Sequence, residues 1–151
     1  MTNDAFNMLA PLPDGSQAAR AIALALADAR IEAGQVDYVN AHASATPIGD
    51  RAEAQAIRCA LGKRVPVSGT KGLYGHPLGA SGAIETAIAA LAIARGVIPG
   101  TANLVEPDAD NALNLIGPLG LTERPRVVVN NAFGFGGINT ALVLTAIDRQ
   151  A

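Results

Sequence analysis

The stretch from His76 to Arg95, HPLGASGAIETAIAALAIAR, carries a single acidic charge, Glu85, before its terminal arginine, and sets apolar residues on every face of a helix. The helix is predicted over about Ala80 to Arg95, closed by Gly96. A helix apolar all round is covered on all sides. One small sheet cannot cover both of its faces, so something further is expected to pack against this chain. The competing reading is that alanine richness blurs the pattern of an ordinary one-sided helix. The weakly polar run Ser81 to Ala94 is interrupted by Glu85 and falls short of the roughly 20 residues a bilayer span needs, so no membrane is expected.

Around this helix the pattern alternates. Residues 1 to 15, ending in PLPDG, read as a loop closing in a turn. Ser16 to Ala33 is helical, with Ser16 a candidate N-cap and Ile22, Leu26 and Ala29 along one face. Short strands are expected at Val36 to Asn40 and Val65 to Ser68, with a helix from Gly49 to Leu61 between them. A proline-containing connection, about Ile98 to Arg124, leads to strands at Arg126 to Asn131 and Asn139 to Ala146. The order α-β-α-β-α-loop-β-β implies an α/β fold in one domain, with crossover helices and a closing antiparallel hairpin.

Composition narrows the function classes. With 11 Lys plus Arg, 13 Asp plus Glu and a net charge of -2, the chain has no basic stripe for a phosphate backbone, so nucleic acid is not an expected partner. The single cysteine, Cys59, allows no intrachain disulfide, and the first residues lack the basic and apolar regions of a secretory signal. A reducing cytoplasm is the expected location. Apolar residues make up 50% of the chain and aromatics 3%, so the core is packed with Ala, Val, Ile and Leu.

The reactive groups gather at three strand-to-loop junctions: His42 after VDYVN, Lys71 and His76 after VPVSG, and FGFGG after RVVVNNA. Carboxyl ends of strands are where α/β sheets hold ligands. Both histidines of the chain lie in such loops, which points to function rather than to packing. His42, His76 and Cys59 match no metal spacing, and no metal is expected. GTKGLYGH lacks the glycines of a phosphate loop. Cys59, near a helix C-terminus where the dipole disfavours a thiolate, reads as a small core residue and not as a nucleophile.

Four strings, VDYVNAHASATPIGDRAEAQAI, VPVSGTKGLYGHPLGASGAIE, GVIPGTANL and VVVNNAFGFGGINTALVL, resemble in order and spacing the β-ketoacyl-acyl-carrier-protein synthases, members of the thiolase-like fold. The resemblance covers nearly the whole chain and implies a thiolase-like half-domain with a mixed sheet, one of whose helix layers packs against a missing N-terminal half. It implies decarboxylative condensation of malonyl-carrier protein with an acyl thioester, in fatty-acid or polyketide synthesis. His42 and His76 match the two histidines that face the malonyl thioester; both should be neutral and present an N-H to the enolate oxygen. Lys71 matches the active-site lysine and Glu85 the buried glutamate, whose pairing would make the charge tolerable.

By the same resemblance Phe135 is the gating phenylalanine and its backbone N-H an oxyanion donor, in a substrate-binding loop of Phe133, Gly134, Gly136 and Gly137. Ser44 and Thr46 match the hydroxyls that hold the phosphopantetheine arm of an acyl carrier protein; the chain is expected to have no cofactor of its own. Asp50 and Glu53 fall at acidic positions and read as capping and surface charges, and residues 1 to 12 resemble a second gating loop. HASAT replaces the commoner HGTST, and Ile138 stands where His or Thr is frequent. The nucleophilic cysteine of the family's first half has no counterpart here, nor has the opening strand of the second half. The expectation is therefore a truncated or split synthase, inactive alone, that needs a complementary N-terminal half and forms a homodimer when complete. A non-catalytic partner similar to a chain-length factor is the alternative.

Overall fold

The computed structural model describes residues 1–108 and 111–147. A six-stranded mixed sheet has the order β1-β6-β5-β2-β3-β4. Its strands are β1 (Thr2–Asn3), β2 (Tyr38–Asn40), β3 (Pro66–Ser68), β4 (Asn114–Leu115), β5 (Val127–Gly134) and β6 (Ile138–Thr145). The central strands β5, β2, β3 and β4 run parallel, while β6 closes antiparallel on β5 with Val127 opposite Thr145 and Gly134 opposite Ile138. The helices are α1 (Ser16–Ala29), α2 (Pro47–Leu61), the single turn α3 (Lys71–Tyr74) and α4 (Ser81–Arg95).

Alternation along β2 and β5 divides the core between the two faces of the sheet. Val39 and Val129 join Ile22 and Leu26 of α1 and Ala56 and Ile57 of α2 in one cluster. Tyr38 and Val128 point the other way, to Ala89 and Ala92 of α4. Strand β2, buried at all three positions, thus holds the middle of a helix-sheet-helix sandwich. Gly15 lets α1 begin close against α2: it sits at φ 64, and a Cβ there would lie 2.3 Å from the Ala52 carbonyl oxygen.

Several local expectations are corrected. Gly15, not Ser16, is the cap residue of α1, which ends at Ala29 because Arg30 turns left-handed at φ 57; Ala33–Gln35 is a separate 3₁₀ turn closed by a Glu32/Gln35 capping box. Thr2 and Asn3 are not loop but pair with Asn139 and Ile138 at the sheet edge. The proline-containing connection contributes β4, and β5 extends through Phe133 and Gly134, leaving Phe135–Gly137 as the turn.

Helix α4 is covered on one side only. Ser81, Glu85, Ala89 and Ala92 are buried, whereas Ile84 is 38% and Leu91 54% exposed, with Ala83, Ala87 and Ala90 beside them. Together with the preceding 3₁₀ turn, Leu78–Arg95 makes 18 helical residues of mean hydropathy 1.3, enough by length and composition alone for a membrane span and longer than the sequence run suggested. Its inner face nonetheless packs on the sheet as a core helix does.

Candidate active site

Strand β2 ends at Asn40, and the chain continues through Ala41, whose N-H still bonds the Ser68 carbonyl of β3 at 2.9 Å, to His42. The loop after it is strained: Ala43 and Ala45 stand at φ 41 and 60, where a Cβ is disfavoured. What holds it is Glu53, from the second turn of α2. Glu53 Oε1 accepts from the His42 N-H at 2.8 Å and from Asn131 Nδ2 at 3.0 Å, and Oε2 accepts from the Ala43 N-H at 2.7 Å. This corrects the expectation of a surface charge, since Glu53 is 5% exposed. Burial pushes its carboxyl up and the three donors oppose the rise. Asp50 does behave as a terminal charge, accepting from the Ala45 N-H at 3.1 Å in the first turn of α2.

Lys71 begins α3 directly after β3 and is buried. Its ammonium donates to the His42 carbonyl oxygen and to Glu85 Oε1, so the expected Lys71–Glu85 pair is present. The same Nζ lies 3.5 Å from His42 Nδ1. An ammonium can only donate, so His42 Nδ1 is the unprotonated nitrogen and the ring proton is on Nε2. Burial, then the charge of Lys71, holds His42 neutral, down to about 3. For Glu85, burial raises the carboxyl and Lys71 opposes the rise.

His76 follows the C-cap Gly75 of α3 and is exposed at the mouth of the site. The Leu78 N-H donates to its Nδ1 at 3.1 Å, which again leaves the proton on Nε2. Burial and Lys71 lower its pKa too. The two imidazoles meet edge to face, centroids 5.2 Å apart and planes at 78°, and Phe133 lies against His42 at 5.8 Å. Two histidines from different loops thus meet ring against ring, each with its proton on Nε2.

A cleft of about 790 Å³ opens over this pair, walled by His42, His76, Ser44, Thr46, Phe133 and Phe135 among others. Thr46 caps α2, accepting from the Gly49 N-H at 3.1 Å, and its Oγ1 is 3.0 Å from Ser44 Oγ. Either hydroxyl can donate to the other, so the pair retains one proton for a ligand. Phe135 is 69% exposed in the turn that Gly136 and Gly137 make at φ 79 and 74. The turn is tied to the first residues: the Gly136 N-H donates to the Met8 carbonyl at 2.8 Å, and Asn139 Nδ2 donates to Asp4 Oδ1 at 2.6 Å.

Cys59 is exposed, which corrects the expectation of a core position: the buried face of α2 runs through Ala52, Glu53, Ala56 and Ile57, and Cys59 lies at the edge of that arc. Among the described residues no group of three or more His, Cys, Asp or Glu side chains is placed to hold a metal ion. Sequence reasoning missed Glu53 and Asn131 as supports of the His42 loop. The available signal was position, since Glu53 lies on the helix that directly follows the loop.

Residues 1–105 match the model of the family described as Beta-ketoacyl synthase, C-terminal domain. The chain belongs to the β-ketoacyl synthase family. It is 43% identical over 145 residues to 3-oxoacyl-[acyl-carrier-protein] synthase 2 of Synechocystis sp., an alignment covering 94% of this chain and 35% of that protein. Among solved structures, it superposes on the complex titled AntDE:AntF, a type II PKS acyl-carrier protein with its ketosynthase bound to the hexaketide, with a TM-score of 0.93 and 34% identity, over 97% of this chain and 36% of that one. The ishigamide ketosynthase/chain length factor gives a TM-score of 0.92 at 33% identity, over 97% and 36%. This β-ketoacyl synthase chain has the thiolase-like fold and spans about a third of the length of the relatives it matches, corresponding to their C-terminal part.

Proposed function

We propose that this chain supplies the decarboxylation half-site of a 3-oxoacyl-[acyl-carrier-protein] synthase acting in fatty-acid or polyketide synthesis. The observation that carries the reading is the convergence of two neutral imidazoles, each with its proton on Nε2, beside a cleft. In this reading the C–C bond to the carboxylate of a malonyl thioester breaks and CO2 leaves. Its electron pair forms the enolate, and the developing charge falls on the thioester oxygen. His42 and His76 donate to that oxygen, an interaction strongest in the transition state. The enolate carbon then attacks an acyl-cysteine thioester, forming the new C–C bond and expelling thiolate.

That cysteine has to come from a complementing N-terminal half, because Cys59 does not line the cleft. The neutral His42 and His76 are donors here, and Lys71 fixes the tautomer of His42. The N-H of Phe135 is proposed as a donor to the acyl oxyanion, with the Phe135 side chain as gate and the loop of Phe133, Gly134, Gly136 and Gly137 shaping the acyl entrance. The hydroxyl pair of Ser44 and Thr46 fits a neutral carbonyl acceptor, such as an amide of a phosphopantetheine arm, since it offers one proton and no charge. The proposed partners are thus an acyl carrier protein, malonyl and acyl thioesters, the first half of a synthase and, when complete, a second copy in a homodimer. A cytoplasmic setting fits that chemistry. The likeness to a ketosynthase/chain length factor favours, as a second reading, a non-catalytic partner subunit; against it stands the intact His42, Lys71 and His76 arrangement, which such a partner does not need.

With a cysteine-bearing first half supplied, His42→Ala and His76→Ala should each lower malonyl decarboxylation roughly 100- to 1000-fold, about 3 to 4 kcal/mol. Cys59→Ser should leave it unchanged. Near-normal decarboxylation in both histidine variants would remove the basis of the reading.

A further inference from the structure

The buried carboxylate under the histidine pair is only half accounted for. Glu85 Oε1 receives the Lys71 ammonium, whereas Oε2 is buried without a hydrogen-bond partner in this arrangement. A carboxylate oxygen left so is costly, and native interiors seldom tolerate it.

A candidate donor lies in the neighbouring turn. Tyr74 is three residues after Lys71 in the single turn of α3 and therefore on the same side of that turn. Its hydroxyl lies 3.2 Å from Thr70 Oγ1. Thr70 is fully buried, and among the described residues Tyr74 is the partner of its hydroxyl. A buried hydroxyl proton requires an acceptor, so Thr70 donates to the Tyr74 oxygen and the Tyr74 proton is left to point elsewhere. Tyr74 is also close enough to Glu85 that its hydroxyl, like Lys71, opposes the rise that burial imposes on the carboxyl.

We propose that Tyr74 is a positioning residue: its O-H donates to Glu85 Oε2 and completes a chain from Thr70 through Tyr74 and Glu85 to Lys71. With both oxygens engaged, Glu85 stays ionised and keeps the Lys71 ammonium at the His42 carbonyl and Nδ1. That contact holds the His42 proton on Nε2. The consequence for decarboxylation rests on the function proposed above; the hydrogen bond itself does not.

The test uses the 151-residue chain, labelled with carboxyl-¹³C glutamate and assembled with an unlabelled first half of a related synthase. The Glu85 resonance, assigned with Glu85→Gln, is followed against pH in the parent assembly and in Tyr74→Phe. Losing a donor to the charged form raises a carboxyl pKa, so Tyr74→Phe should lower the acid dissociation constant of Glu85 about tenfold. Decarboxylation should fall mainly in kcat, and more at the acidic end of the range, where Glu85 then protonates. Identical Glu85 titration curves in the two proteins overturn the proposal, and so does a Tyr74→Phe assembly that only melts earlier while Glu85 titrates as before. A shifted Glu85 together with undiminished decarboxylation in His42→Ala would uphold the hydrogen bond and sink the functional reading instead.

Discussion

At the scale of single residues, the site is governed by where protons can go. His42 is held neutral by burial and by Lys71, down to about 3, whereas an unfolded chain takes up this proton near 6.5. Between those values the unfolded state binds more protons, so the stability associated with a neutral His42 is complete above about 6.5 and is lost as the pH falls towards 3. Glu53 and Glu85 act in the opposite sense, because their carboxyls are raised by burial and take up protons in the folded state first. The contribution of His42 is therefore isolated by difference. In melts of the assembly from pH 7 to 4, the parent protein should lose stability on acidification more steeply than His42→Gln. Parallel curves would mean that His42 is freely protonated in the folded state.

At the scale of elements, α4 has two faces with different obligations. Ala89 is fully buried between helix and sheet, so a larger side chain there has no room: Ala89→Leu should cost about 1 to 3 kcal/mol of stability. Leu91 is 54% exposed and belongs to neither core cluster, and Leu91→Ala should change the chain's unfolding free energy by less than about 0.5 kcal/mol. Binding to the first half of a related synthase is where Leu91→Ala should register, as a loss of about 1 to 3 kcal/mol. Urea unfolding of each variant and titration with the partner half separate the two effects. Equal behaviour of the two substitutions would show that the faces have been assigned wrongly.

For the molecule as a whole, the uncovered apolar surface dominates. Ile84 and Leu91 on α4 are joined at the cleft by Leu9, Ile48, Leu78 and Phe135, each more than half exposed apart from Ile84 at 38%. Ile88 and Ile93 on the same helix are partly buried, and Ile93 packs with the α4 core cluster. Each large side chain left in water forgoes about 1 to 3 kcal/mol, a sizeable share of the roughly 5 to 15 kcal/mol that holds a domain together. The chain expressed alone should thus associate in light scattering, and co-expression with the first half of a related synthase should yield a discrete complex with a higher melting temperature. A monodisperse monomer whose sharp melt is indifferent to the added half would point to an independent binding domain.

How much of this was legible beforehand depended on whether the information was local. The three long helices, the parallel strands with their closing hairpin, and the junctions that bring His42, Lys71 and His76 together followed from periodicity, glycines and motif order. These signals survive in one dimension because each residue's neighbours along the chain create them. The two-residue strands β1 and β4 have no periodicity to detect, and they exist because an edge of the sheet offers them a partner. The burial of Glu53, the exposure of Cys59 and the contact of the Tyr74 hydroxyl with buried Thr70 were likewise decided by tertiary structure alone. A helix in sequence does not say which arc faces inward, and the donors that make a buried carboxylate tolerable come from residues as distant as Asn131, 78 positions from Glu53.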